Sequence, residues 1–92
     1  MAVVTGEVVP LNRIDPVSHA VAASVVVRQG KTVLGHGKVN DNDEFSIEIS
    51  DDVRGEIEIL LDLHNAAPSI AEADGGDIFV TLLYSNVNNF FA

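Results

Sequence analysis

Apolar and polar positions alternate with a period of two along most of the chain, the mark of strands with one face buried. Phe45, Ile47 and Ile49 alternate with Glu44, Ser46 and Glu48; Ile57, Ile59, Leu61 and Leu63 alternate with Glu56, Glu58, Leu60 and Asp62. Val21, Ala23, Val25 and Val27 repeat the pattern against Ala20, Ala22, Ser24 and Val26. Val3 to Val9, Thr32 to Val39 and Ile78 to Tyr84 read as three more strands, rich in β-branched and aromatic residues.

The connections carry turn chemistry. Gln29-Gly30-Lys31 suits a tight hairpin, and Asn40-Asp41-Asn42-Asp43 supplies residues that accept left-handed φ or bond their own backbone. Asp51-Asp52-Val53-Arg54-Gly55 is a third short connection. Six to seven short strands at this spacing predict an all-β fold, an antiparallel two-sheet β-sandwich in a single domain over residues 1–92, with 85–92 as a C-terminal tail. The alternation fails between Leu63 and Asp77. There, Ser69 with Glu72 fits a capping box and Gly75-Gly76 a helix stop, which predicts one short helix near 69–74 on a crossover between sheets.

Gly35-His36-Gly37-Lys38-Val39, the Asn/Asp turn after it and Phe45-Ser46-Ile47 together form a cadence that resembles transthyretin-like (prealbumin-like, carboxypeptidase regulatory-like) domains. The same cadence is similar to bacterial Ig-like repeats of surface proteins, and Val4-Thr5-Gly6-Glu7-Val8-Val9 looks like the first strand of both. The resemblance covers about residues 3–63 and implies a fold rather than a site. The chain departs from the pattern where Asp43 or Glu44 stands in place of a turn glycine, and in the loop from Pro10 to His19. One enzyme group of the transthyretin fold, the 5-hydroxyisourate hydrolases, ends in Tyr-Arg-Gly-Ser. Here Tyr84 is followed by Ser85-Asn86-Val87, so the resemblance does not extend to that activity.

Composition narrows the function classes. The chain of 92 residues has a net charge of −9, which disfavours nucleic acid and anionic membrane surfaces as partners. Residues 1–40 hold Glu7 and Asp15 against four bases, whereas 41–92 hold every other acid against Arg54 alone. With 47% hydrophobic residues the chain is too apolar to be disordered. The absence of Cys removes disulfides, thiolate zinc sites and Cys nucleophiles. Met1 to Glu7 has no basic stretch of a signal peptide, and no segment approaches the ~20 apolar residues of a membrane helix, so membrane insertion is not expected.

Catalytic constellations are weak. His19, His36 and His64 stand on separate elements without ligand spacing, and Ser18-His19 lacks both a nucleophile elbow and an oxyanion loop. A non-catalytic module with no required cofactor is the expectation. Calcium is the one cofactor with candidate ligands, Asp41 and Asp43 in one loop and Asp74 and Asp77 in another, as in adhesion-type modules.

The larger anomaly is apolar excess. The last strand is apolar on both faces, so either Phe79 with Leu83 or Ile78 with Val80 and Leu82 requires a cover outside the core. Three readings compete: the strand is central with helix 69–74 over its second face, Phe90 and Phe91 close the bottom of the monomer's own core, or the strand or tail meets another molecule. Leu60 interrupts an acidic face, and the tail ends in Phe90 and Phe91. Large apolar patches mark interfaces. Leu60, Phe79, Leu83, Phe90 and Phe91 are therefore the candidate contact residues, and a homo-oligomer or protein assembly is the expected partner state.

Overall fold

A computed structural model describes residues 1–10, 22–62 and 66–84. They form seven strands: β1 (Ala2–Pro10), β2 (Ser24–Gln29), β3 (Thr32–Lys38), β4 (Glu44–Ile49), β5 (Gly55–Leu61), β6 (Ser69–Ala73) and β7 (Ile78–Tyr84). One sheet has the order β4-β1-β7 and the other β3-β2-β5-β6. The two enclose a common core, an arrangement consistent with a β-sandwich.

Alternation in the sequence becomes alternation in burial. Phe45, Ile47 and Ile49 of β4 and Ile57, Ile59 and Leu61 of β5 point inward, and their acidic neighbours point out or to the rim. Val4 and Val8 of β1, Val25 and Val27 of β2, and Val80, Leu82 and Tyr84 of β7 complete the core. Burying each such side chain contributes about 1.5–3 kcal/mol, the main term available to a chain of this size.

Turns form where the sequence places them. Gly30, at φ 59°, sits between Gln29 and Thr32, which pair across the β2–β3 hairpin. At the β3–β4 connection, Asn40 Oδ1 accepts from the backbone of Asn42 at 2.9 Å and of Glu44 at 3.0 Å. Asp43 takes φ 61°, a conformation that Asp tolerates better than most residues. This connection carries the chain from one sheet to the other. The two edges it joins also shield each other: a Cβ on Gly35 of β3 would stand 2.8 Å from the Glu48 carbonyl oxygen of β4.

Two expectations are corrected. The short helix near 69–74 does not form; Ser69–Ala73 is strand β6, paired antiparallel to β5 through Ile59↔Ser69, Ile57↔Ala71 and Gly55↔Ala73. Five residues close too few helical hydrogen bonds to offset nucleation, and the free edge of β5 satisfies their backbone instead. The sheets are also not purely antiparallel. β1 and β7 run parallel, with Val4↔Ile78, Gly6↔Val80 and Val8↔Leu82 in register. Gly6 sits at the centre of that pairing, under the Phe45 ring and against the Val80 carbonyl, where a side chain has no room.

Candidate functional site

The outer face of the three-stranded sheet is built from alternate residues of β4, β1 and β7. Because Val80, Leu82 and Tyr84 fill the core, Phe79, Thr81 and Leu83 point to solvent. Phe79 is 65% exposed and Leu83 41%. The parallel register sets Thr5 beside Phe79, Glu7 beside Thr81 and Val9 beside Leu83. Thr81 Oγ1 donates to Glu7 Oε2 at 3.4 Å. Across β1, the exposed residues of β4 are Glu44, Ser46 and Glu48. The face is therefore graded, acidic along β4 and apolar along β7. A groove of about 340 Å³ is lined by Phe79, Thr5 and Ser46 together with Lys38, Asn40 and Glu44.

The helix-covered central strand is not found among the described residues. β7 is an edge strand rather than a central one, and no helix lies over it among the described residues. Among the described residues its free side is met at one end, by an isolated bridge from Ala66 to Tyr84 and a hydrogen bond from Ala67 N to Leu83 O at 3.3 Å.

The other candidate contact residues do not join this face. Leu60 lies on the outer face of the four-stranded sheet, half-buried opposite Val26. It belongs to the other layer and cannot share a contact with Phe79 or Leu83. Phe90 and Phe91 lie outside the described residues, as do His19, His64 and Ser18. His36 is exposed on β3, in register with Val26.

The four candidate calcium ligands are not brought together either. Asp77 Oδ1 accepts from Val3 N at 3.0 Å, at the start of β1, while the Asp43 carbonyl accepts from Val8 N at 2.8 Å, near its end. Strand rise places these points roughly 16 Å apart, so Asp41 and Asp43 cannot share one ion with Asp74 and Asp77. Asp74 Oδ1 is engaged by Gly76 N at 2.9 Å. Among the described residues no group of three His, Asp or Glu side chains is placed to hold a metal.

Comparison with protein-family models, curated proteins and solved structures found no match.

The features that sequence reasoning missed are positional. That β7 sits at an edge, with β1 as its only strand partner among the described residues, follows from topology. One signal was available in the sequence: Ile78–Tyr84 contains no charged residue, whereas every other strand contains at least one charged side chain.

Proposed function

We propose that this chain is a non-catalytic structural or protein-interaction module, a sandwich of transthyretin-like or Ig-like type that self-associates through its last strand. The observation that carries the reading is the exposure of Phe79 and Leu83 on one face of a strand without charge, in a chain of net charge −9. Two such acidic copies repel at long range, and the β7 side of this face carries fewer acids than the β4 side, Glu7 beside Thr81 against Glu44 and Glu48. The aromatic pair Phe90 and Phe91, which follows β7 in the chain, belongs to the same reading as added apolar contact.

Magnitudes set the kind of assembly. Burying what remains exposed of Phe79 and Leu83 on two copies supplies on the order of 3–6 kcal/mol. Association costs about 4–15 kcal/mol in lost freedom. Side chains alone therefore support at most a weak dimer, and tighter assembly requires further bonds.

The test is solution mass by light scattering for the full chain and for a Phe79→Ser, Leu83→Ser double variant. An oligomer that becomes a folded monomer on substitution supports the proposal. A full chain that stays monomeric at millimolar concentration overturns it.

A further inference from the structure

The backbone of β7 supplies a second set of contacts. Along a strand, successive residues direct their N–H and C=O groups to opposite sides. Thr5 Oγ1 donates to Ile78 O at 3.4 Å, so the Ile78 carbonyl faces β1. Ala67 N donates to Leu83 O, so the Leu83 carbonyl faces away from β1. The period of two then places the N–H and C=O of Phe79 and Thr81 on the free side with Leu83. Among the described residues, no strand pairs with β7 on that side and no other backbone hydrogen bond reaches it.

We infer that this open stretch of β7 pairs antiparallel with the same stretch of a second copy, about a two-fold axis at Phe79. The inference rests on the self-association proposed above and gives it a geometry. In this register Phe79 faces Phe79 of the second copy, and Thr81 faces its Asp77. The two three-stranded sheets become one of six strands, with the order β4-β1-β7-β7-β1-β4. The contact is isologous, so it closes as a dimer.

Three observations select this occupant and register. First, exposed sheet edges are normally defended against pairing by charge, proline or cover. Of the four edge strands, β4 carries Glu44 and Glu48, β6 carries Glu72, and β3 carries Lys38 and folds closely over β4. Only β7 has neither charge nor proline, and among the described residues its free side is bonded only at Ala66 and Ala67. Second, antiparallel pairing centred on a residue matches like faces. Phe79 then meets Phe79 on the outer face, while Ile78 lies beside Val80 of the second copy on the core side. Third, an axis at Thr81 would set Phe79 against Leu83, whose carbonyl Ala67 already occupies. An axis at Phe79 leaves that carbonyl to Ala67 and carries the pairing one residue before β7, to Asp77.

The absence of cysteine makes the register directly readable. Opposed residues in a hydrogen-bonded antiparallel pair have Cα atoms about 5.5 Å apart, within disulfide range. Under mild oxidation, Phe79→Cys should form a disulfide dimer and Thr81→Cys alone should not. An equimolar mixture of Asp77→Cys and Thr81→Cys should give the mixed dimer, and it keeps the Phe79 ring in place. Thr81→Pro removes an N–H that points to the open edge rather than into β1. It should abolish the dimer and leave the melting temperature of the monomer nearly unchanged.

If the wild-type chain is a monomer, the self-association reading fails and the edge inference fails with it. If it is a dimer that survives Thr81→Pro, or if Thr81→Cys cross-links with itself while the mixed pair does not, only the edge inference is overturned. Association would then run through the outer face.

Discussion

Leu60 and Phe79 are both large apolar residues on the solvent side of a sheet, and their neighbours treat them differently. Leu60 stands on β5, a central strand with β2 on one side and β6 on the other. Val26 lies opposite, and two residues along the same face Glu58 accepts from Arg28 Nε at 2.7 Å. Arginine stems cover apolar surface while their charge stays wet, and Leu60 ends half-buried. Phe79 stands on an edge strand with a partner on one side only, facing Thr5, too short to cover a ring. The β6 ladder ends at Ile59↔Ser69, so Leu60 and Phe79 each have one cross-strand neighbour, Val26 for Leu60 and Thr5 for Phe79. The apolar or polar character of that neighbour, rather than side-chain type, separates a covered leucine from an exposed phenylalanine.

That contrast can be broken from the sheet that holds Phe79. Gly6→Ala would press a methyl into the Val80 carbonyl and the Phe45 ring, and a backbone neighbour cannot rotate away. The expected loss is about 3 kcal/mol in chemical denaturation. A loss below about 0.5 kcal/mol would mean that β1 and β7 are paired loosely enough at Gly6 to admit a methyl group. Next in size is Leu60→Ser, expected to cost about 1–2 kcal/mol for a half-buried side chain while leaving the solution mass unchanged. Should that substitution dissociate the oligomer, the four-stranded sheet is also an interface and the comparison collapses.

Smaller effects sharpen it. Glu58→Gln should cost less than about 1 kcal/mol, because the ion pair with Arg28 is partly exposed, and the difference should shrink further in molar salt. Phe79→Ser should change the stability of the monomer by no more than about 0.5 kcal/mol, as expected for an exposed side chain. That comparison belongs at the lowest workable concentration, where association no longer adds to stability. A large loss there would show that the ring is already packed within its own molecule.

Much of the architecture is legible in the alternation. Strands β4 and β5 run almost as the pattern of isoleucines and glutamates requires, and the Asn40–Asp43 turn uses side chain and φ in the way its composition implies. β6 was read as a helix because its contrast is inverted: Ile70 is exposed, while the inward positions are filled by the small residues Ala71 and Ala73. A five-residue strand lined by alanine has little periodicity, and a local capping signal fills the gap. Pairing with β5 is a tertiary contact that no local window contains.

The candidate site was legible in part. Phe79 and Leu83 emerged from the two-faced apolar pattern of the last strand, and the structure exposes both. Leu60 arose from the same kind of signal but belongs to the other layer, because a period of two says which way a residue faces within its sheet and not which sheet it joins. The acidic loops were grouped on composition. Their separation along β1 depends on which strand ends lie together, and that is a property of topology.

The parallel β1–β7 pair also orders events in time. Glu7 and Thr81 are 74 residues apart, whereas Arg28 and Glu58 in the four-stranded sheet are 30 apart. Closing the longer loop costs only about 0.8 kcal/mol more in chain entropy, so the fold loses little by it at equilibrium. Synthesis at about 5–20 residues per second makes the interval several seconds long. The four-stranded sheet and the β1–β4 pair are complete in sequence before β7 is made. The side of β1 that receives β7 is meanwhile an open slot, shaped for a strand that does not yet exist and equally shaped for the β7 of a neighbouring chain. Pairing of this slot with the β7 of a second chain would satisfy the same backbone groups as correct closure, without any contact made by the finished fold.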